Sequence, residues 1–237
     1  MSQIPLVAID TSVLLAIGYG PDSDPRARIA LDGVAMAKAK GAGRVVVPSV
    51  SSEYRTKLHE IQSIIDLLRV VSQGGTQQGS ESFPLRVQRM MDSVRQAAQR
   101  KNIERFVDAV EVAVSQAVAQ MQTEDFNAIA VAVLIHVSQV HALIMTNVKS
   151  LGLSELPALD PSSIPPRPGL TSLPKSDRPH IEYCEVYGSR QRHGIVFVAF
   201  DGGLMLYRSQ VALSCKWVRL ATFAFLEHHL NPESDLW

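Results

Sequence analysis

The sequence predicts an α/β protein built on a parallel sheet that is covered by helices on both faces. Short apolar runs at Leu6–Ile9, 45–47 and 142–145 alternate with segments of helical periodicity. Buried parallel strands are typically continuous runs of β-branched and leucine residues, because helices cover both faces of the sheet. Alternation of such runs with helices is typical of βαβ units. We therefore expect a three-layer fold, a long helical insert and a small C-terminal β-containing module.

Size, charge and cysteine content narrow the class of protein further. The chain has 237 residues, 46% of them hydrophobic, which is enough for a substantial core. The 23 basic and 23 acidic residues balance, so a chain that grips nucleic acid with its whole surface is not expected, whereas a local basic face is allowed. Cys184 and Cys215 have no metal-binding or redox spacing and are predicted to be buried thiols.

Five helical segments are predicted in the first two thirds of the chain. The first begins at Ser12, after the first strand, and the second ends at Gly41-Ala42-Gly43. The third begins near Ser49, just after the second strand. The predicted ranges of the others are 26–40 for the second helix, 84–122 for a long helical insert and 126–140 for the helix before the third strand.

Beyond the third predicted strand the composition changes. Residues 156–179 hold seven of the 13 prolines, which indicates a linker. Strands are predicted at 181–187, 194–200 and 204–208, with a hairpin turn at Asp201-Gly202-Gly203 and a closing helix at 217–230. The predicted organisation is a domain over 1–155, the linker over 156–179 and a small β-rich module over 180–237.

Three acids occupy comparable places beside the predicted strands. Asp10 ends the first strand, Glu53 follows the second, and Asp125 starts the helix before the third. Ligands of open α/β sheets bind at the carboxyl ends of the strands. Two carboxylates about 4 Å apart repel by roughly 4 kcal/mol at an effective dielectric of about 20, so such a cluster calls for a cation or raised pKa values. Mg²⁺ or Mn²⁺ suits oxygen ligands, although Asp10 as a simple helix N-cap is an open alternative.

Four segments together resemble the PIN domain, a family of metal-dependent nucleases. They are Ala8-Ile9-Asp10-Thr11-Ser12, Val45-Val46-Val47-Pro48 with Glu53, Asp125-Phe126-Asn127-Ala128-Ile129-Ala130, and Leu143-Ile144-Met145-Thr146. The resemblance covers about residues 4–151. It implies that Asp10, Glu53 and Asp125 are metal ligands and catalytic residues, and that Thr11 and Ser12 support the site.

One departure from the family pattern bears on activity. The family commonly has a further acid where this chain has Val148, and Lys149 follows it. Glu124 or Asn147 would have to compensate, with Thr146 also lining the pocket. The resemblance implies a metal-dependent endoribonuclease, in which a metal-bound water attacks an RNA phosphodiester. A degenerate, non-cleaving RNA-binding or scaffold protein and a toxin of a toxin–antitoxin pair are the alternatives.

A local excess of basic residues suggests where RNA would bind. The predicted contacts, on the helical insert and after the third predicted strand, are Arg86, Arg89, Arg95, Arg100, Lys101 and Lys149. RNA is thus the expected partner, and a homodimer or a protein inhibitor or complex partner is compatible with the sequence. Neither a signal peptide nor an apolar stretch of about 20 residues is apparent, which predicts a cytoplasmic protein without a membrane span.

Overall fold

The computed structural model describes residues 4–73, 82–99, 103–121 and 125–231. Within these ranges the sheet has five parallel strands in the order β3-β2-β1-β4-β5. The strands are Leu6–Ile9 (β1), Arg44–Val46 (β2), Ser154–Glu155 (β3), Ile195–Val198 (β4) and Val218–Ala221 (β5). The predicted α/β class with a helix-covered parallel sheet is confirmed.

Helices make up most of the remainder, and several follow the predicted ranges closely. They are Thr11–Tyr19 (α1), Arg26–Ala39 (α2), Pro48–Gln73 (α3), Phe83–Gln99 (α4), Glu104–Met121 (α5), Phe126–Ser150 (α6), Arg178–Gln191 (α7), Gly202–Met205 (α8), Arg208–Ser214 (α9) and Phe223–His229 (α10). The predicted helical insert is confirmed as α4 and α5.

Strand β1 lies at the centre of the sheet. It pairs with β2 on one side, with Val7 opposite Arg44, and with β4 on the other, with Leu6 opposite Ile195. All four residues of β4 are buried, so both faces of the sheet are covered there. This explains the absence of polar alternation in the strand sequences, since a strand buried on both faces has no solvent-facing side.

The chain forms two compact units. The first consists of Met1–Tyr54 and Thr146–Trp237 and contains the sheet, and the second is the helical stretch Arg55–Met145. The boundaries fall within α3 and α6. The core of the first unit joins side chains of β1, β2, β4 and β5 with those of α1, α2 and α7. Both cysteines are buried in it and free, as predicted.

Helix α6 is unusually apolar. It carries no Asp, Glu, Lys or Arg before Lys149, and its side chains Phe126, Ile129, Val133 and Val137 are buried. In the described part of the chain it is the one helix long and apolar enough to cross a membrane, with 33% of its most apolar window buried. The expectation that no stretch has this length and composition is therefore wrong. A single helix of this kind is weak evidence for a membrane span, because core helices of soluble proteins pass the same test of length and composition.

The third predicted strand, 142–145, is wrong, because these residues continue α6. An apolar run of this length is ambiguous between a buried strand and a buried helix. No proline or glycine interrupts the run after Phe126, and the first glycine that follows the helix is Gly152, with φ of 59°. The helix therefore passes through the expected break at Val140.

Two predicted strands near the C-terminus are also wrong. Residues 181–187 lie in α7, where Pro179 occupies the first turn, a position that suits proline. Residues 204–208 lie in and after α8. The Asp201-Gly202-Gly203 segment starts α8 instead of forming a hairpin, because the Asp201 carboxylate accepts hydrogen bonds from the backbone of residues 203 and 204.

The predicted linker and C-terminal module belong to the first unit. Leu170 and Leu173, in the proline-rich stretch, are buried in the core, and two short 3-10 turns, Pro161–Ser163 and Pro168–Leu170, order the backbone around them. The predicted strand at 194–200 is confirmed as β4. Together with β5 it completes the central sheet, so residues 180–237 are not a separate module. The predicted closing helix 217–230 begins as β5 and becomes helical only in α10.

Gly33 provides a test of the packing between α2 and α10. A Cβ at residue 33 would overlap the ring of Phe223, which is buried. We expect Gly33→Ala to lower the free energy of unfolding by about 1–3 kcal/mol, the usual effect of overpacking. Urea denaturation measures this as a lower midpoint at an unchanged slope. The control is Gly202→Ala, whose Cβ would meet no atom within 4 Å. Equal midpoints for both variants would contradict this packing.

Candidate functional site

The sheet places a crevice between β1 and β4. From β1 the chain moves outward to β2 on one side, and from β4 it moves to β5 on the other, so the direction of the winding reverses between them. In parallel α/β sheets this switch point, at the carboxyl ends of the strands, is where ligands bind. Asp10 directly follows β1, and its backbone N–H donates to the carbonyl of Val198, the last residue of β4.

Asp10 is held by Ser12. The carboxylate Oδ2 accepts hydrogen bonds from the Ser12 N–H at 3.0 Å and from the Ser12 hydroxyl at 2.6 Å. The same hydroxyl accepts a bond from the Phe200 N–H at 3.0 Å. Ser12 therefore ties the end of β1 to the segment after β4. Asp10 is also the N-cap of α1, as the alternative expectation had it, and its role as a metal ligand stays a prediction.

A second group of side chains lies around Glu53. Its carboxylate Oε2 accepts a hydrogen bond from the Thr11 hydroxyl at 2.9 Å and lies 3.4 Å from Nε2 of His180. The other ring nitrogen of His180, Nδ1, lies 2.6 Å from the Ser49 hydroxyl. His180 is buried, and its ring stacks on Phe197 of β4. The histidine is thus fixed between α3 and the sheet, with Nε2 directed at Glu53.

Two further acids, Asp177 and Asp201, belong to this edge. Asp177 precedes α7 and accepts a hydrogen bond from the Ser176 hydroxyl at 2.9 Å. Asp201 comes three residues after the end of β4 and caps α8, whereas Asp10 directly follows β1. The charges of Asp201, His180 and Glu53 all act on the carboxyl group of Asp177. Four acids and one histidine therefore share an electrostatic environment.

The electrostatics of this edge show in two pKa values. Burial raises the pKa of Asp10 above its ordinary value of 3.8, and the negative charge of Glu53 raises it slightly further. The hydrogen bonds from Ser12 and the charge of His180 act in the opposite direction and lower this pKa. Burial likewise raises the pKa of Asp177, and the negative charges of Asp201 and Glu53 raise it further. Both carboxyl groups are thus harder to ionise than in water, mainly because they are buried and in part because of neighbouring acids.

The structure brings together only some of the predicted site residues. Asp10, Thr11, Ser12 and Glu53 lie at the carboxyl edge, as expected. Asp125 does not belong to the sheet-containing unit. It caps α6, where its Oδ1 accepts hydrogen bonds from the N–H groups of residues 127 and 128. The assignment of Asp125 depended on the third predicted strand, which is not formed, so the argument that placed this acid at the sheet edge no longer holds.

The predicted supporting residues near the end of α6 have structural contacts. Asn147 donates from Nδ2 to the Gly18 carbonyl at 3.0 Å, and Val148 packs against the core. Thr146 and Lys149 are exposed on the same helix. Val148 therefore does not follow a strand. Glu124 lies outside the described residues.

Asp177, His180 and Asp201 were missed by the sequence reasoning. The signal for Asp201 was present, since it follows a correctly predicted strand just as Asp10 does, but Asp-Gly-Gly favoured a hairpin. Asp177 and His180 flank Pro179, and a helix beginning there would have suggested an N-terminal acid. The alternating pattern of residues 181–187 concealed that helix.

The predicted basic face is partly engaged within the helical unit. The Arg95 guanidinium pairs with Glu111 at 2.7 Å and with Asp92 at 3.4 Å. The Arg86 guanidinium lies 4.3 Å from the centroid of the Phe126 ring. Arg89 is exposed on α4, whereas Arg100 and Lys101 lie outside the described residues. Arg95 and Arg86 therefore have partners within the protein, and their positions are explained without a bound ligand.

No ready-made metal cage exists in the described ranges, where no group of three or more His, Cys, Asp or Glu side chains is arranged to hold an ion. Comparison of the chain with protein-family models, curated proteins and solved structures finds no match. The residues at the carboxyl edge are therefore the basis for any functional conclusion.

The raised pKa of Asp10 predicts how stability depends on pH. A carboxyl group with a raised folded-state pKa stabilises the fold below its ordinary pKa of 3.8, and this contribution is lost as the pH rises through the folded-state value. We expect Asp10→Asn, which keeps a good N-cap, to be more stable than wild type at neutral pH. The difference should shrink on acidification, as measured by urea denaturation from pH 3 to about pH 8.

The matched control for this prediction is Asp160→Asn. Asp160 also caps a short helical turn, but the hydrogen bond from the Ser162 backbone lowers its pKa. Its replacement should therefore give no gain at neutral pH. A loss of stability in Asp10→Asn that is equal at all pH values would contradict the assigned electrostatics.

Proposed function

We propose that this chain is a metal-dependent nuclease that cleaves RNA phosphodiesters at the crevice between β1 and β4. The observation that carries the proposal is the set of acids at one edge of the sheet: Asp10, Glu53, Asp177 and Asp201. This set replaces the one expected from the sequence, in which Asp125 was the third acid. The resemblance to the PIN family is retained as a proposal on these grounds.

The chemistry of these residues fits Mg²⁺ or Mn²⁺. Hard cations prefer carboxylate oxygens, and both retain several waters. The raised pKa values of Asp10 and Asp177 reflect burial and repulsion that a bound cation would relieve. Because no three of the described side chains are already arranged to hold an ion, Asp10, Glu53, Asp177 and Asp201 would have to close around it to supply its ligands. When bound, it would lower the pKa of a coordinated water and stabilise charge on the phosphate.

The protein's own side chains supply orientation at this edge. Ser12 fixes the Asp10 carboxylate through two hydrogen bonds, and Thr11 fixes Glu53 through one. His180, held by Ser49, limits the movement of Glu53 from the other side. Preorganised carboxylates need little rearrangement when charge develops on the substrate, which is the usual source of catalytic stabilisation.

A non-cleaving RNA-binding protein is the second candidate function. It is favoured by the position of Glu53, which already has Thr11 as a donor and His180 nearby, and by the lack of a preformed metal cage in the described ranges. A cytoplasmic location is part of either proposal, since RNA is the substrate or ligand.

Cleavage of a labelled single-stranded RNA in Mn²⁺, Mg²⁺ or EDTA tests the nuclease. We expect metal-dependent cleavage by wild type and a loss of at least about a hundredfold in Asp10→Asn, Asp177→Asn and Asp201→Asn. Asp125→Asn is the matched control and should cleave like wild type, because its carboxylate caps a helix of the other unit.

Two outcomes would contradict the proposed site. Full activity of Asp177→Asn and Asp201→Asn with an inactive Asp125→Asn would restore the set predicted from sequence. Absence of cleavage by wild type in every metal, with RNA binding retained, would identify the chain as a non-cleaving binder.

A further inference from the structure

We propose that Arg26 binds a phosphate group of the substrate next to the one at the carboxylate edge, so that the site selects single-stranded nucleic acid over small phosphodiesters. The inference rests on the proposed function and deepens it. It assigns a binding residue that neither the sequence patterns nor the predicted basic face identified, and it names a polymeric substrate class.

The Arg26 side chain is fixed by a buried carboxylate. Asp24 is 0% exposed, and its Oδ1 accepts from the Arg26 backbone N–H at 3.0 Å and from Nε at 3.2 Å. Its Oδ2 accepts from Nη2 at 3.0 Å. The guanidinium is therefore held side-on through Nε and Nη2. Nη1 takes no part in this pairing, and the side chain is 35% exposed.

Phe200 connects this guanidinium to the proposed active site. The Arg26 guanidinium carbon lies 5.2 Å from the centroid of the Phe200 ring, a cation–π distance. The Phe200 N–H donates to the Ser12 hydroxyl, which in turn donates to Asp10. Phe223 packs on the Phe200 ring at 5.6 Å between centroids. Arg26 is thus linked to Asp10 through Phe200 and Ser12.

Charge and geometry together indicate a phosphate ligand. Asp24 neutralises the net charge of the pair, but its carboxylate is buried whereas the guanidinium is 35% exposed, so the pair presents N–H donors to an approaching anion. A planar guanidinium with one edge held by the protein presents the other in a defined direction, which suits the bidentate recognition of phosphate. A strand with successive phosphates can occupy the acidic edge and Arg26 at once, whereas a small phosphodiester has a single phosphate.

The test compares two substrates in Arg26→Gln and in the control Arg28→Gln, which removes an exposed arginine of the same helix. We expect Arg26→Gln to raise KM for a single-stranded RNA by about tenfold, the loss of one charge-assisted contact. Its hydrolysis of bis(p-nitrophenyl) phosphate should match wild type. Arg28→Gln should match wild type on both substrates. An unchanged KM for RNA, or an equal loss on both substrates, would overturn the inference.

A binding measurement separates failure of this inference from failure of the proposed function. RNA affinity is measured by fluorescence anisotropy against salt concentration, in Asp10→Asn with and without Arg26→Gln. We expect the second change to reduce the slope of log affinity against log salt by about 0.7, one phosphate contact with a single strand. If wild type cleaves neither substrate, this slope still decides whether Arg26 binds phosphate, and an unchanged slope would refute it.

Arg26→Lys provides the control for folding. It keeps the positive charge near Asp24 but lacks the planar fork, so it should retain the salt slope while losing part of the RNA affinity. If Arg26→Lys and Arg26→Gln both have the RNA affinity and the salt slope of wild type, the Asp24–Arg26 pair is a purely structural contact. That result would overturn the inference.

Discussion

The parallel pairing of β1 with β4 is the constraint on which the rest of this structure depends. It joins an early segment of the chain to a late one, and it places the end of each strand beside the other. Because each strand is followed by an acid, the pairing also sets Asp10 and Asp201 at the same edge. Most side chains of both strands are buried, so a shift in register would disrupt their packing and move the two acids relative to each other.

Crowded acids make this edge costly to bury, and the neighbouring side chains offset the cost by hydrogen bonding and charge. Ser12 and Thr11 donate to the carboxylates of Asp10 and Glu53, and His180 brings a basic ring next to Glu53. The compensation is incomplete, as the raised pKa values of Asp10 and Asp177 show. Residual repulsion of this kind is typical of functional sites, where it poises a site for a cation or a substrate.

Sequence reasoning succeeded where a strand or helix carries its own local signal. The apolar run of β1, with Asp10 and Ser12 after it, predicted both an element and a site, because strand, cap and hydroxyls follow one another directly. It failed over 142–145, since an uncharged apolar stretch has no feature that separates a buried helix from a buried strand. The error propagated to Asp125, because the acid was placed by the strand that it was thought to precede.

The positions of the remaining site residues are set by packing between segments that are distant in the sequence. Local sequence patterns carry no information about such packing. Asp177 and His180 reach the edge only because α7 packs against β4, with the His180 ring on Phe197. A histidine flanked by proline in a proline-rich stretch has no sequence feature that indicates such a neighbour. Knowledge that β4 lies beside β1 would have been enough to turn Asp201 from a turn residue into a candidate ligand.

The discontinuous first unit also has a consequence for biosynthesis. Its central strand emerges from the ribosome early, but the partner of that strand follows only after the entire helical stretch Arg55–Met145 has been made. Contacts between segments so far apart along the chain form slowly, because closing a long loop costs conformational entropy before the contacts can stabilise the fold. Until β4 arrives, β1 has an unpaired edge and Asp10 has no counterpart. The edge that carries the acids is therefore assembled last, so the proposed site is incomplete while the ribosome is still translating the chain.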